Sequence, residues 1–132
     1  MRVLVVEDDI IIGPLLKVRL KRMFKESQPI FMVESSTKLA DALKKVKEFQ
    51  PDVVILDLGL PDADTDETMS KIPEITDTSA VIVVSGLLDP EMEETCYEYG
   101  AHDVVDKFLL SSSLLKDKIL NAYYARNARK SS

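Results

Sequence analysis

The sequence predicts an α/β protein, a doubly wound five-stranded parallel sheet with helices on both faces. Two observations carry this. Val53–Leu56 and Ala80–Val84 are apolar runs without alternation, and Arg2–Val6 reads the same way after its first residue. Such runs, bounded by turn signals, are strands buried on both faces, as in a parallel sheet. Between them lie segments with apolar residues at helical spacing, so strand and helix alternate along the chain. A length of 132 residues suits one domain with an adequate core.

Each element has a local reason. After the first strand, a helix is expected from Ile10 to about Phe24, with Ile12, Leu16, Leu20, Met23 and Phe24 on its inner side. Pro14 is tolerated within its first turn, where the missing N–H has no partner to lose, and Asp8 or Asp9 places negative charge at its start. Lys17, Arg19, Lys21, Arg22 and Lys25 read as a solvated face. Residues 25–29 form a loop, Ile30–Val33 the second strand, and Ser35, Ser36 and Thr37 supply capping chemistry for a helix over Thr37–Phe49. The third strand ends in Asp57 and a Gly59/Pro61 turn, and a short helix is expected from Asp66 to Ile72, stopped by Pro73. Asp62, Asp64 and Asp66 have the spacing of half a calcium loop. Glu67 and Pro73 stand where such a loop needs Gly and Glu, so these acids are assigned to the helix start instead.

The fourth strand, Ala80–Val84, runs into Ser85 and Gly86. Asp89, Pro90 and Glu91 then form a strong helix start, and Gly100 is placed just past the helix end, with Met92, Cys96 and Tyr99 as the inner stripe. His102 reads as an ordinary turn residue. The fifth strand is Asp103–Asp106. The last helix begins near Ser111–Ser113 and runs through Leu115, Ile119, Ala122 and Tyr123. Residues 1–126 are read as the domain, and 127–132 as a basic tail or the start of a linker.

The strand ends carry the chemistry. Asp57 alone fits a cap or turn as well as a site. Parallel neighbours, however, would gather Glu7, Asp8, Asp57, Ser85 and Lys107 at one sheet edge, where open α/β sheets place their ligands. Close carboxylates repel, and a divalent cation such as Mg²⁺ resolves the repulsion while leaving positions for phosphate oxygens. Asp57 is then the candidate nucleophile, Lys107 the counter-charge and Ser85 a hydrogen-bond donor.

These residues resemble the receiver domains of two-component response regulators over essentially the whole chain. The resemblance rests on Glu7-Asp8-Asp9 after the first strand, Asp57 to Pro61 after the third, and Ser85-Gly86 after the fourth. Gly100-Ala101 and Lys107 complete it. It implies the flavodoxin-like strand order 2-1-3-4-5 and phosphorylation of Asp57 by a phosphohistidine of a sensor histidine kinase or phosphotransfer protein. It further implies Mg²⁺ (or Mn²⁺) held by Asp8, Asp57 and the Gly59 carbonyl, with Glu7 acting through water, and phosphoryl contacts from Ser85 and Lys107. Output by docking to another protein is implied, with a homodimer through the face made by the helix after Asp89, the fifth strand and the last helix.

Three positions depart from the family pattern. Thr65 replaces a glycine, Val104 replaces an aromatic residue in the fifth strand, and Phe108 follows Lys107 where the family has a cis proline. A cis bond before a non-proline costs about 2.5–4 kcal/mol, so the 107–108 bond is expected either to be trans with a shifted loop or to retain cis at that cost. Gly59 and Leu87 offer no acid, amide or base to hydrolytic water, which implies slow to moderate self-dephosphorylation. The alternative reading is a receiver-like interaction domain that is not regulated by phosphorylation. An aspartyl-nucleophile phosphatase needs a second Asp where Gly59 stands.

Composition sets outer limits. A net charge of −6 argues against direct nucleic-acid binding, which needs Lys and Arg on phosphates. One cysteine permits no internal disulfide. No leader precedes Arg2, and no apolar run is long enough to cross a bilayer, so a cytoplasmic protein is expected.

Overall fold

The computed structural model describes residues 1–24, 32–86 and 88–131, with side chains described up to residue 128. Five parallel strands form one sheet in the order β2-β1-β3-β4-β5: β1 is Arg2–Val6, β2 Met32–Ser36, β3 Val53–Asp57, β4 Ala80–Ser85 and β5 Asp103–Asp106. The expected fold class and strand order are those observed. Alternate strand residues face opposite layers, as the period of two requires. Leu4, Val6, Val54, Leu56, Val81 and Val83 face a core completed by α2 (Leu39–Phe49), α3 (Thr65–Ser70), α4 (Ile72–Thr76) and α5 (Pro90–Glu98). Val3, Val5, Val53, Ile55, Ile82, Val84 and Val105 face α1 (Ile12–Phe24) and α6 (Ser112–Ser131).

Several boundaries differ from the sequence expectation, each for a physical reason. Helix α1 starts at Ile12, because the Asp9 carboxylate accepts the N–H groups of Ile11 (2.8 Å) and Ile12 (3.0 Å). Ile12 itself is more than a third exposed rather than part of the inner side. Strand β2 continues to Ser36, because Ser35 and Ser36 pair with Val5 and Val6; Ile30 and Phe31 lie outside the described residues. The serines therefore do not cap α2. Its first N–H groups are taken by Asp62 from the loop after β3, at 2.7 Å to Leu39 and 3.0 Å to Ala40.

The expected helix over Asp66–Ile72 is two short helices. Asp64 caps α3 by accepting the Glu67 N–H at 2.7 Å, and Pro73 sits in the first turn of α4, where its missing donor costs nothing. Asp89 caps α5 through the Met92 N–H at 2.8 Å. The helix ends as expected. Gly100, at φ +106°, is followed by Ala101, whose N–H reaches Cys96 O, while the Gly100 N–H reaches Tyr97 O. This is the Schellman pattern. Cys96 is fully buried, but Tyr99 lies on the outer face at 38% exposure, since it follows the last helical turn. The segment expected as a tail is helical as far as Ser131.

Candidate functional site

Strand pairing fixes the site before any side chain is considered. Val6 pairs with Leu56, Asp57 with Val84, and Ser85 with Asp106, so the carboxyl ends of four strands lie side by side. Glu7 follows β1 directly, Asp57 closes β3, Ser85 closes β4, and Lys107 follows β5 as the first residue of a 3-10 turn, Lys107–Leu109.

The structure brings Glu7, Asp8 and Asp57 together, with one carboxylate oxygen from each lying within 4.8 Å of the others. Glu7 and Asp57 are 7% exposed, whereas Asp8 faces solvent. The Lys107 ammonium joins the two buried carboxylates, donating to Glu7 Oε2 at 2.7 Å and to Asp57 Oδ2 at 3.2 Å. The other Asp57 oxygen, Oδ1, accepts the Gly59 N–H at 2.9 Å, which fixes the carboxylate plane. Glu7 Oε1 accepts the Asp9 N–H at 3.2 Å. Ser85 is buried at the same edge.

Charge follows geometry. Burial raises the Glu7 carboxyl to about 6; the Lys107 hydrogen bond opposes this, while the hydrogen bond to and the charge of Asp57 add to it. For Lys107, burial works against the ammonium, but the bond to Glu7 and the charges of Asp57 and Glu7 outweigh it and hold the group above its ordinary value. Two buried carboxylates and one exposed one, with a single ammonium between them, make an edge rich in anionic oxygen. That donor set fits a hard divalent cation.

Of the three departures, two are visible at the site. The Lys107–Phe108 peptide is trans. Asp106 accepts the Phe108 N–H at 2.9 Å, and the ring lies against Gly86, where a Cβ would meet Phe108 Cε2 at 2.8 Å. Nothing in the sequence pattern pointed to that contact. Val104 contributes no ring, and its N–H donates to Tyr97 Oη at 3.2 Å and to Asp103 Oδ1 at 2.9 Å. Beneath Lys107, an apolar cavity of about 240 Å³ reaches Val5, Leu16 and Ile55 and opens beside Asp57 and Phe108. Leu87 lies outside the described residues.

The sheet order, with an acidic cluster and a lysine at its carboxyl edge, defines a doubly wound α/β protein with a site suited to a divalent cation. The family comparison agrees: the response regulator receiver domain model matches residues 3–119, and the chain belongs to that family, the receiver domains of two-component systems. Among curated proteins, it is 36% identical over 107 residues to protein-glutamate methylesterase/protein-glutamine glutaminase 2 of Methanosarcina acetivorans. That match covers 80% of this chain and 29% of the relative. It is 33% identical over 127 residues to the protein of the same name from Koribacter versatilis, covering 95% of this chain and 34% of the relative. The chain thus spans about a third or less of these relatives.

Among solved structures, a response regulator receiver domain protein from Clostridium thermocellum superposes with a TM-score of 0.80 at 23% identity, covering 96% of this chain and 97% of that one. The BeF3-activated N-terminal receiver domain of Klebsiella pneumoniae RstA superposes with a TM-score of 0.76 at 22% identity, covering 92% and 98%. These likenesses show the fold. Among the described residues, no helix is long and apolar enough to cross a membrane.

Proposed function

We propose that Asp57 accepts a phosphoryl group from a phosphohistidine on a sensor histidine kinase or phosphotransfer protein, and that the modified chain signals by altered docking to another protein. The observation that carries this reading is the Lys107 ammonium shared between Glu7 and Asp57 inside a three-carboxylate cluster. Neither an inert surface nor a stability device needs a buried nucleophile arranged in that way.

In the transfer, an Asp57 carboxylate oxygen attacks phosphorus, the P–N bond to the donor imidazole breaks with its electron pair going to nitrogen, and an aspartyl phosphate forms. The Gly59 N–H holds Oδ1 and so orients the nucleophile. The Lys107 ammonium and the Ser85 hydroxyl would contact the phosphoryl oxygens, with Lys107 exchanging a carboxylate contact for a phosphoryl one. Asp8, Asp57 and the Gly59 carbonyl would hold Mg²⁺ (or Mn²⁺), with Glu7 reaching it through water. When bound, the ion supplies neutralisation of charge on the transferring group.

Around the acceptor, Ile11, Leu15, Phe108 and Leu109 are exposed apolar side chains. They lie in the segments that follow β1 and β5, and together would offer an apolar patch to the donor's docking surface. The chain is a switch that assists only its own phosphorylation and dephosphorylation, the latter slowly to moderately. Residues 1–126 form the domain, a cytoplasmic setting fits it, and a homodimer would use the α5-β5-α6 face.

The test is intact mass after incubation with acetyl phosphate, with and without Mg²⁺, on wild type and Asp57→Asn. A metal-dependent gain of one phosphoryl group in wild type alone is expected. Failure of acetyl phosphate to modify the chain, together with failure of beryllofluoride and Mg²⁺ to bind, would leave a phosphorylation-independent interaction domain.

A further inference from the structure

The apolar cavity beneath Lys107 is larger than a phenyl ring needs. It measures about 240 Å³ and is walled by Val5, Leu16, Ile55 and Val84, whereas a cavity of about 150 Å³ is enough to hold benzene. The polar groups beside it are already engaged. The Lys107 ammonium is shared by Glu7 and Asp57, and the second Asp57 oxygen accepts the Gly59 N–H. The group that suits this space is therefore uncharged and apolar, and one stands at the mouth. Phe108 lines the cavity, yet the residue is 82% exposed. Exposed ring surface and an unfilled apolar space beside it are both unfavourable, and turning the ring inward removes both.

The ring's outer seat is Gly86. A Cβ built there would meet Phe108 Cε2 at 2.8 Å, Cζ at 3.2 Å and Cδ2 at 3.7 Å, so its three nearest neighbours all belong to the ring. Only a glycine leaves room for the ring in that position. The Asp106 carboxylate on the Phe108 N–H, at 2.9 Å, fixes the backbone of the turn and leaves the side-chain torsions as the moving part. Each half of the contact is one peptide away from the acceptor edge. Gly86 follows Ser85, and Phe108 follows Lys107. A group on Asp57 that draws the Ser85 hydroxyl and the Lys107 ammonium towards it would act on both sides of the contact at once.

We propose that Phe108 reports the state of Asp57: its ring sits on Gly86 while the acceptor is free and turns into the cavity when a phosphoryl group occupies it. The coupling rests on the reading of Asp57 as the acceptor, whereas the cavity as a second seat for the ring does not. Turning inward withdraws Phe108 from the apolar patch that it would offer with Ile11, Leu15 and Leu109. The surface presented to the donor therefore shrinks once transfer is complete.

The experiment is fluorine NMR of the full chain carrying para-fluorophenylalanine at its four phenylalanines, with the resonance lost in Phe108→Leu assigned to Phe108. With Mg²⁺ alone, that resonance should show the solvent isotope shift of an exposed ring. Beryllofluoride with Mg²⁺ should move it, remove most of the solvent isotope shift and bring in Overhauser contacts to the Ile55 and Val84 methyls. Bound beryllofluoride has its own fluorine signal, so binding is scored in the same spectrum. Gly86→Ala takes away the outer seat and should give the same inward signature with no ligand added. A Phe108 resonance that keeps its solvent isotope shift while beryllofluoride is bound would overturn the proposal. So would a ring that leaves its seat in Gly86→Ala without gaining contact to Ile55 or Val84. Failure of beryllofluoride to bind would refute the reading of Asp57 and the coupling with it, and Gly86→Ala would still decide whether the cavity is the ring's second seat.

Discussion

Replacing Lys107 with methionine keeps an apolar stem of the same four-atom length and removes the ammonium from between two buried carboxylates. Glu7 Oε2 loses a partner at 2.7 Å and Asp57 Oδ2 one at 3.2 Å. Removing one partner of a fully buried pair costs about 3–5 kcal/mol, since a charge is left without compensation. Lys107 is one-quarter exposed, which lowers the expectation to about 2–3 kcal/mol in metal-free protein at neutral pH. The cost has an outlet. Glu7 is already raised from 4.5 to about 6 and can take a proton; that rise alone corresponds to about 2 kcal/mol.

A carboxyl whose folded value lies above its unfolded value destabilises the fold by an amount that is absent below the unfolded value and grows until pH passes the folded one. Without Lys107 the folded value rises further. The difference between wild type and Lys107→Met should therefore be largest above about pH 7 and shrink towards about pH 5. Mg²⁺ should reduce it at neutral pH by neutralising the same oxygens. Urea unfolding of both proteins across that pH range, with and without Mg²⁺, is the assay. A difference that stays constant with pH and is indifferent to Mg²⁺ would refute the electrostatic account of this cluster.

Three further outcomes follow from the local geometry. Asp62→Ala removes the cap of α2 and should lower the urea midpoint. The N–H groups of Ala40 and Leu39 hold the Asp62 carboxyl below its ordinary value, so its contribution is present above pH 3.8 and fades as pH falls through the lowered value, which unfolding curves across acid pH would show. Gly100→Ala places a side chain at φ +106° and should cost more than about 1 kcal/mol by the same measurement, whereas a matched Ser70→Ala at an exposed position of α3 should be near neutral. Gly86→Ala puts a Cβ 2.8 Å from the Phe108 ring; because the ring is 82% exposed, it should swing away rather than unfold the chain. The stability change should be within about 1 kcal/mol, with a large change in the Phe108 ring resonances, and those two readouts together check the contact.

The central strands and the acidic edge at Asp57 were legible in the sequence because the signal is local and redundant. Val53–Asp57 and Ala80–Ser85 are buried at every position, which forbids alternation, and each ends in the polar residue that the sheet edge uses. Asp89 and Gly100 were legible as helix boundaries because capping chemistry lies within a few residues of its target. What was not legible depends on distance along the chain. Asp62 caps a helix 22–23 residues earlier, a link no local pattern contains. Ser35 and Ser36 have capping propensity, but pairing with Val5 and Val6 overrides it. Pro73 announced a helix stop and proved to be the first turn of a second helix, because Lys71 N–H bonds back to Thr68 and closes α3 just before it.

The same distinction explains why the departures from the family pattern do not disperse the cluster of Glu7, Asp57 and Lys107. Thr65, Val104 and Phe108 lie outside the three inner strands that end in or just before Glu7, Asp57 and Ser85. Those residues are placed by backbone pairing across β1, β3 and β4, so their spacing depends on register rather than on any loop. Lys107 is the exception, because it stands between β5 and the trans bond to Phe108. Its position is nevertheless held from both sides, by the Ser85–Asp106 pairing before it and by the Asp106 carboxylate on the Phe108 N–H after it. The altered dipeptide therefore changes what covers Gly86 without withdrawing the ammonium from Asp57.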